Sequence, residues 1–111
     1  MPGKFVLSKS KRNGKFTFNL HATNGRVILT SEQYNTKAAA KNGIKSVQKN
    51  CGTDKRFDRR TAKNGSPYFC LCAANGEVIG KSEMYSGHSG RNNGIASVKR
   101  NAPGATIVDE S

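Results

Sequence analysis

Two groups of basic side chains, each set on an Asn-Gly turn, are the residues of this chain best placed to do chemistry. Lys9, Lys11, Arg12 and Lys15 surround Asn13-Gly14, and Arg56, Arg59, Arg60 and Lys63 precede Asn64-Gly65. Two such basic hairpins related by a pseudo-dyad could straddle a phosphate backbone and grip it bivalently, and phosphate contacts supply most of the non-specific affinity for nucleic acid. The plainer reading is a solvated surface. Lys37, Lys41, Lys45 and Lys49 recur at every fourth residue, a spacing that aligns them on one face of a helix. Fifty-one residues later the same positions hold His88, Asn92, Ala96 and Arg100, so the stripe belongs to one half of the chain and is not required by the fold.

The remaining candidates are weaker. Cys70 and Cys72 lie two residues apart, and His21 stands at the position equivalent to Cys72. A His-Cys-Cys cluster would suit zinc, but Cys-x-Cys without a second matched pair is a poor zinc signature, and no metal or cofactor is expected. No base can be set beside either thiol, which leaves nucleophilic catalysis without support. Glu32 and Glu83 each precede a tyrosine, Tyr34 or Tyr85, by two residues. Paired carboxylates can do acid-base work, but Ser-Glu before a helix more often satisfies loop and helix-end amides. His88, in Ser86-Gly87-His88-Ser89, reads as exposed or capping. No RNA-recognition aromatic signature, zinc finger or helix-turn-helix is present. No catalytic residue is assigned.

These residues sit on a framework that occurs twice. Shifted by 51, residues 13–50 fall on 64–101 with 18 of 38 positions identical, which marks a tandem duplication. Phe16, Phe18, Leu20 and Ala22 alternate with Thr17, Asn19 and His21, the period of a half-buried strand. The second copy keeps Phe69, Leu71 and Ala73 but replaces the intervening residues with Tyr68, Cys70 and Cys72. The Phe18, Leu20 face therefore meets the helices, and the Asn19, His21, Cys70, Cys72 face is freer and wetter. Asn-Gly at 24–25 and 75–76 marks further hairpins. Leu29 becomes Gly80 while Ile28 stays Ile79, which favours a bulged three-residue turn with Ile28 and Ile79 inside.

A helix capped by Asn35 or Thr36 runs to about Asn50, and its counterpart runs from about Gly87 to Asn101. Each carries Asn-Gly at its centre, at a cost of about 1 kcal/mol relative to alanine, so something should offset that. Ala39, Gly43, Ser46 and Asn50, matched by Gly90, Gly94, Ser97 and Asn101, form a small-residue stripe suited to tight packing. Residues 105–108 read as a final strand, with an equivalent near Asp54 to Phe57, an order that invites strand exchange between the halves. The expected organisation is one domain over 1–111, made of repeats at about 3–56 and 57–109.

Nineteen Lys and Arg against seven Asp and Glu give a net charge of +12, concentrated in residues 1–51, which hold ten basic side chains and one acidic. Such a surface attracts polyanions. The sequence has no apolar run long enough to span a bilayer and no signal peptide at 1–10. An odd count of three cysteines reads as reduced thiols, and the expectation is a cytoplasmic monomer with internal twofold pseudo-symmetry and no membrane partner.

The pattern Asn-Gly, Phe-x-Leu-x-Ala, Asn-Gly-x-Val-Ile, Ser-Glu-x-x-Tyr, Asn-Gly-Ile-x-Ser-Val-x-x-Asn, at 13–50 and again at 64–101, resembles the YegP-like family of small bacterial proteins. The resemblance covers nearly the whole chain. It implies two strand-strand-strand-helix-strand units sharing one antiparallel sheet with exchanged terminal strands, and it carries no catalytic residues. The resulting expectation is an α+β domain with both helices on one face. It is read as a basic binding module, not an enzyme, with a polyanionic partner such as nucleic acid bound weakly and without sequence preference; an adaptor for an acidic protein is the alternative.

Overall fold

Alternating apolar and polar residues become strands wherever the sequence shows them. The computed structural model describes residues 3–111. The first copy contains β1 (Lys4–Lys9), β2 (Phe16–His21), β3 (Val27–Ser31) and α1 (Lys37–Asn50). The second contains β4 (Phe57–Thr61), β5 (Pro67–Cys72), β6 (Val78–Lys81), α2 (His88–Asn101) and β7 (Thr106–Asp109). All seven strands join one sheet in the order β4-β5-β6-β3-β2-β1-β7, antiparallel except for β1 with β7.

Pairing across the sheet fixes which side chains share a face. Phe5 and Leu7 lie opposite Leu20 and Phe18, Leu20 lies opposite Leu29, and Leu71 lies opposite Phe57. These residues and Phe69 are fully buried or nearly so, and both helices pack on their side. The apolar stripe thus faces the helices, as its alternation predicts. The other face is open, but it is not uniformly wet as the alternation suggests: His21, Asn19 and Cys72 are half-buried, whereas Cys70 is only 2% exposed. Its cross-strand neighbours are Asp58 and Lys81, and the Lys81 ammonium lies 5.2 Å from the centre of the Tyr68 ring. The thiol is thus flanked on both neighbouring strands by charged residues.

The β2-β3 hairpin departs from expectation in an instructive way. Its turn is the three-residue kind, with Gly25 at φ 86° and the Ala22 amide donating to the Arg26 carbonyl. A second irregularity then falls between Leu20 and His21, so that Leu29, not Ile28, stands opposite Leu20. Ile28 and Leu29 are both buried. Gly80 in the place of Leu29 suggests, along the chain, a position outside the core, and the structure corrects that expectation. The two equivalent residues meet at the pseudo-dyad, where Thr30 pairs with Lys81. A Cβ on Gly80 would lie 2.9 Å from Leu29 Cγ. One leucine fills the space on both sides of the axis, and a second would collide with it.

Each helix crosses the strands, beginning beside its own hairpin and ending beside the other copy. Phe16 and Tyr34 exchange backbone hydrogen bonds just before α1, and the Asn50 carboxamide at its end accepts from Arg56 Nε at 3.3 Å. Likewise Tyr85 N donates to Pro67 O before α2, and Gly3 N donates to Asn101 O after it. Thr36 caps α1 by accepting from the Ala39 amide. The repeated Ser-Glu serves as a clasp through its serines: Ser31 and Ser82 hydroxyls accept from the buried Phe18 and Phe69 amides and donate to the carbonyls of Glu32 and Glu83.

The mid-helix glycines are explained by the tyrosines. Tyr34 stacks on Phe18 and Tyr85 on Phe69, with centroids 6.1 and 6.4 Å apart, and each hydroxyl lies against the glycine of the overlying helix. A Cβ on Gly43 would overlap the Tyr34 hydroxyl and stand 2.8 Å from Cζ; on Gly94 it would overlap the Tyr85 hydroxyl and stand 2.7 Å from Cζ. Gly→Ala inside a helix ordinarily stabilises it by about 1 kcal/mol. Here Gly43→Ala and Gly94→Ala are expected to destabilise, each by about 1 to 3 kcal/mol, because the ring is held by stacking and by its backbone bonds and cannot swing away. Urea denaturation of each variant, with Tyr34→Phe added to Gly43→Ala to restore part of the loss, checks this.

Strand exchange occurs in one direction only. β7 of the second copy lies parallel to β1 of the first, Lys4 to Leu7 beside Thr106 to Asp109. The corresponding strand of the first copy does not form. Residues Asp54–Arg56 make a single 3-10 turn, and Phe57 already belongs to β4. Chain continuity is the reason: the segment after α1 must serve as the first strand of the next copy.

Candidate polyanion-binding surface

The first hairpin turn is built by short local bonds. Gly14, at φ 71°, donates to Ser10 O, the Asn13 carboxamide accepts from Lys15 N, and the Ser10 hydroxyl accepts from Arg12 N. This projects Lys11 and Arg12 beyond the sheet. Lys9 lies on the helix side, its ammonium 5.5 Å from the Phe16 ring centre, and Lys15 falls on the open side. The second turn is one residue shorter: Gly65 donates to Ala62 O, and Lys63 is exposed on it.

The structure separates what the sequence grouped. Following the antiparallel ladder from β1 to β4 reverses direction, so the turns ending those strands occupy diagonal corners of a molecule of 34 × 32 × 29 Å. They do not form two arms on one side. The second group is also largely engaged: Arg59 pairs with Asp54 at 3.3 Å, Arg60 with Asp58 at 2.7 Å, and Arg56 with Asn50. Asp54 also receives Lys99 at 3.0 Å, and the hydrogen bonds from Lys99 and then Arg59 hold its carboxyl below the usual range. The Asp58 hydrogen bond raises Arg60 in turn.

The first group keeps its charge. Of Lys9, Lys11, Arg12, Lys15, Lys37, Lys41, Lys45 and Lys49, only Lys37 makes an ion pair among the described residues, with Asp109 at 2.9 Å. α1 starts beside this hairpin through the Phe16-Tyr34 pairing, and Lys41, Lys45 and Lys49 stand exposed along it, spanning about 12 Å at the rise of a helix. The helix stripe starts beside the hairpin and runs toward the second repeat, where Lys49 lines a depression with Ala73, Ala74 and Asn75.

The other candidates are dispersed or engaged. His21 on β2 and Cys72 on β5 are separated by β3 and β6, so the cysteines and histidine do not converge. Burial raises the Cys51, Cys70 and Cys72 thiols, which favours the protonated, less nucleophilic form. Glu32 and Glu83 do line one shallow depression of about 370 Å³ at the pseudo-dyad, but Glu83 is tied to Arg26 at 2.8 Å. His88 is exposed in the first turn of α2. A wider groove of about 580 Å³ runs between the β2-β3 turn and α2, over Gly90, Asn93 and Ser97.

The domain of unknown function DUF1508 matches the chain twice, over residues 12–58 and 62–109. The chain belongs to this family. The resemblance to YegP-like proteins is thereby shown: a UPF0339 protein of Bordetella pertussis is 57% identical over the whole chain and 98% of the relative, and the UPF0339 protein YegP of Shigella flexneri is 49% identical over all of both. The solution NMR structure of the E. coli protein of unknown function yegP has a TM-score of 0.93 at 47% identity, covering 99% of this chain and 94% of that one. A UPF0339 protein from Shewanella oneidensis gives 0.91 at 51%, covering 98% and 92%. The mostly antiparallel α+β architecture is therefore that of the DUF1508 family.

A repeat aligned only from Asn13 onward omits β1 and β4, and with them the contrast between their two edges. Allowing one extra residue in the first turn aligns Phe5 with Phe57 and Leu7 with Arg59. Of residues 4–10 and 56–62 only Phe5 and Phe57 are identical, so it is the strand ladders that give this alignment.

Proposed function

We propose that this protein is a non-catalytic, monomeric, cytoplasmic binding module for polyanions that engages a nucleic-acid phosphate backbone through the first repeat. The observation that carries this reading is the unpaired charge of the β1-β2 hairpin and α1. Seven of these eight basic side chains have no acidic partner among the described residues, in a chain of net charge +12. Phosphate contacts position a protein without reading bases, and no element here enters a groove, so binding is weak and indifferent to sequence. No helix among the described residues is long and apolar enough to cross a membrane.

Anisotropy titration of a labelled single-stranded 20-mer tests the proposal. Binding is expected at low salt, falling as salt rises with a slope set by about four to six phosphate contacts. Absence of binding at low salt rejects it and favours the acidic-protein adaptor, which a pull-down from lysate with and without nuclease would then reveal as a nuclease-insensitive partner.

A further inference from the structure

One edge of the sheet is closed by β7, and the equivalent edge is open. β1 and β4 are related by the duplication, Phe5 to Phe57 and Leu7 to Arg59. β1 carries β7 in parallel, with Glu110 N donating to Leu7 O at 2.8 Å. β4 ends the sheet on its side, and after Phe57 every residue of it is exposed. The backbone groups of Arg59 and Thr61 face outward. Opposite them stand Phe69, whose amide and carbonyl are taken by Ser82, and Pro67, which has no N–H and whose carbonyl accepts from Tyr85.

We propose that the β4 edge is a docking site for an extended acidic segment of another protein, which adds as a strand parallel to β4 in the manner that β7 adds to β1. The observation is independent of the nucleic-acid reading and concerns the other repeat. β7 is the template. At the filled edge Asp109 lies abreast of Leu7 and pairs with Lys37; at the open edge the residue abreast would meet Arg59 itself. Arg56, Arg59, Arg60 and Lys63 border the site, and Arg59 can exchange its exposed partner Asp54 for a ligand carboxylate, since Asp54 keeps Lys99. Strand addition draws affinity from main-chain hydrogen bonds and specificity from side chains. The same arginines reject an apolar edge, as charges on edge strands do. A second copy is disfavoured by the +12 charge, and each copy's own β7 is already committed to β1.

The probe is a blocked peptide of residues 105–111, Ala-Thr-Ile-Val-Asp-Glu-Ser, titrated into the isotope-labelled full chain while backbone amide shifts are followed by NMR. Shifts are expected at Phe57 to Thr61 with β1 undisturbed. Shifts confined to β1, or none on β4 at millimolar peptide, would overturn the proposal. Arg59→Glu, and a peptide with Asn and Gln in place of Asp and Glu, should each weaken binding roughly tenfold or more; unchanged affinity would overturn the charge assignment. Thr61→Pro removes an outward N–H while sparing the β4-β5 ladder, and it should weaken binding even if Arg59→Glu fails to fold. If sedimentation at the same concentrations shows a dimer that Thr61→Pro abolishes, the edge takes a second copy and the acidic-segment assignment falls.

Discussion

Leu20→Ala and Leu71→Ala are each expected to lower the unfolding free energy by about 2 to 5 kcal/mol, the range for deleting a buried leucine side chain when the cavity cannot fully collapse. Both side chains are completely buried between sheet and helices. Leu20 is enclosed by Phe5 and Leu29 on its neighbouring strands, and Leu71 by Phe57 on one side and Gly80 on the other. Leu20 sits beside larger neighbours that are locked in place, so its cavity should persist. His21→Ala, on the open face, should cost far less, because the ring is half-exposed and its hydrogen bond to Gly25 O is 3.3 Å long. Cys70→Ser should fall between them, at about 1 to 3 kcal/mol, since the site is buried and a hydroxyl there needs a partner. Denaturant midpoints at constant slope measure all four. Equal losses for His21→Ala and the leucines would mean that the faces are misassigned.

Replacing Lys9, Lys11, Arg12 and Lys15 with glutamine is expected to lower the salt slope of oligonucleotide binding by about three, close to one unit for each phosphate that is no longer neutralised. Replacing Arg56, Arg59, Arg60 and Lys63 should change it much less. The sequence alone suggests otherwise, because the hairpin charges occur in both copies and a bivalent grip by the two hairpins would multiply their effect. Position and pairing decide the matter. The hairpins stand at diagonal corners, and two of the four second-hairpin cations are already in ion pairs with Asp54 and Asp58. Lys41, Lys45 and Lys49 lie unpaired along α1, which starts beside the first hairpin, and removing them as well should lower the slope further. Equal effects from the two hairpins would restore the bivalent reading. Anisotropy titrations across a salt series separate the two outcomes, and circular dichroism of each variant confirms that the fold is kept.

Legible along the chain are the duplicated α+β architecture, the core stripe of Phe18, Leu20, Phe69 and Leu71, the glycine turns and the approximate positions of both helices. These follow from local rules, the period of a strand or helix and the backbone freedom of Asn-Gly, and the second copy acts as a check on the first. What happens where the copies meet is set by packing between them. Leu29 and Gly80 are equivalent in sequence but share one space at the pseudo-dyad, so their difference reflects volume, not exposure. Gly43 and Gly94 answer to tyrosines nine residues earlier in the chain, whose rings are placed by strand pairing. Cys70 is buried on a strand between β4 and β6, which no period along β5 can report. The basic residues lie close along the chain but on different faces and corners; the acids of the second hairpin, Asp54 and Asp58, are its neighbours in sequence, whereas Lys37 meets Asp109 and Asp54 meets Lys99 from afar. A sequence pattern states what each residue prefers locally; which copy's strand closes an edge, and which residues share one space at the pseudo-dyad, depends on interactions between residues far apart in the chain.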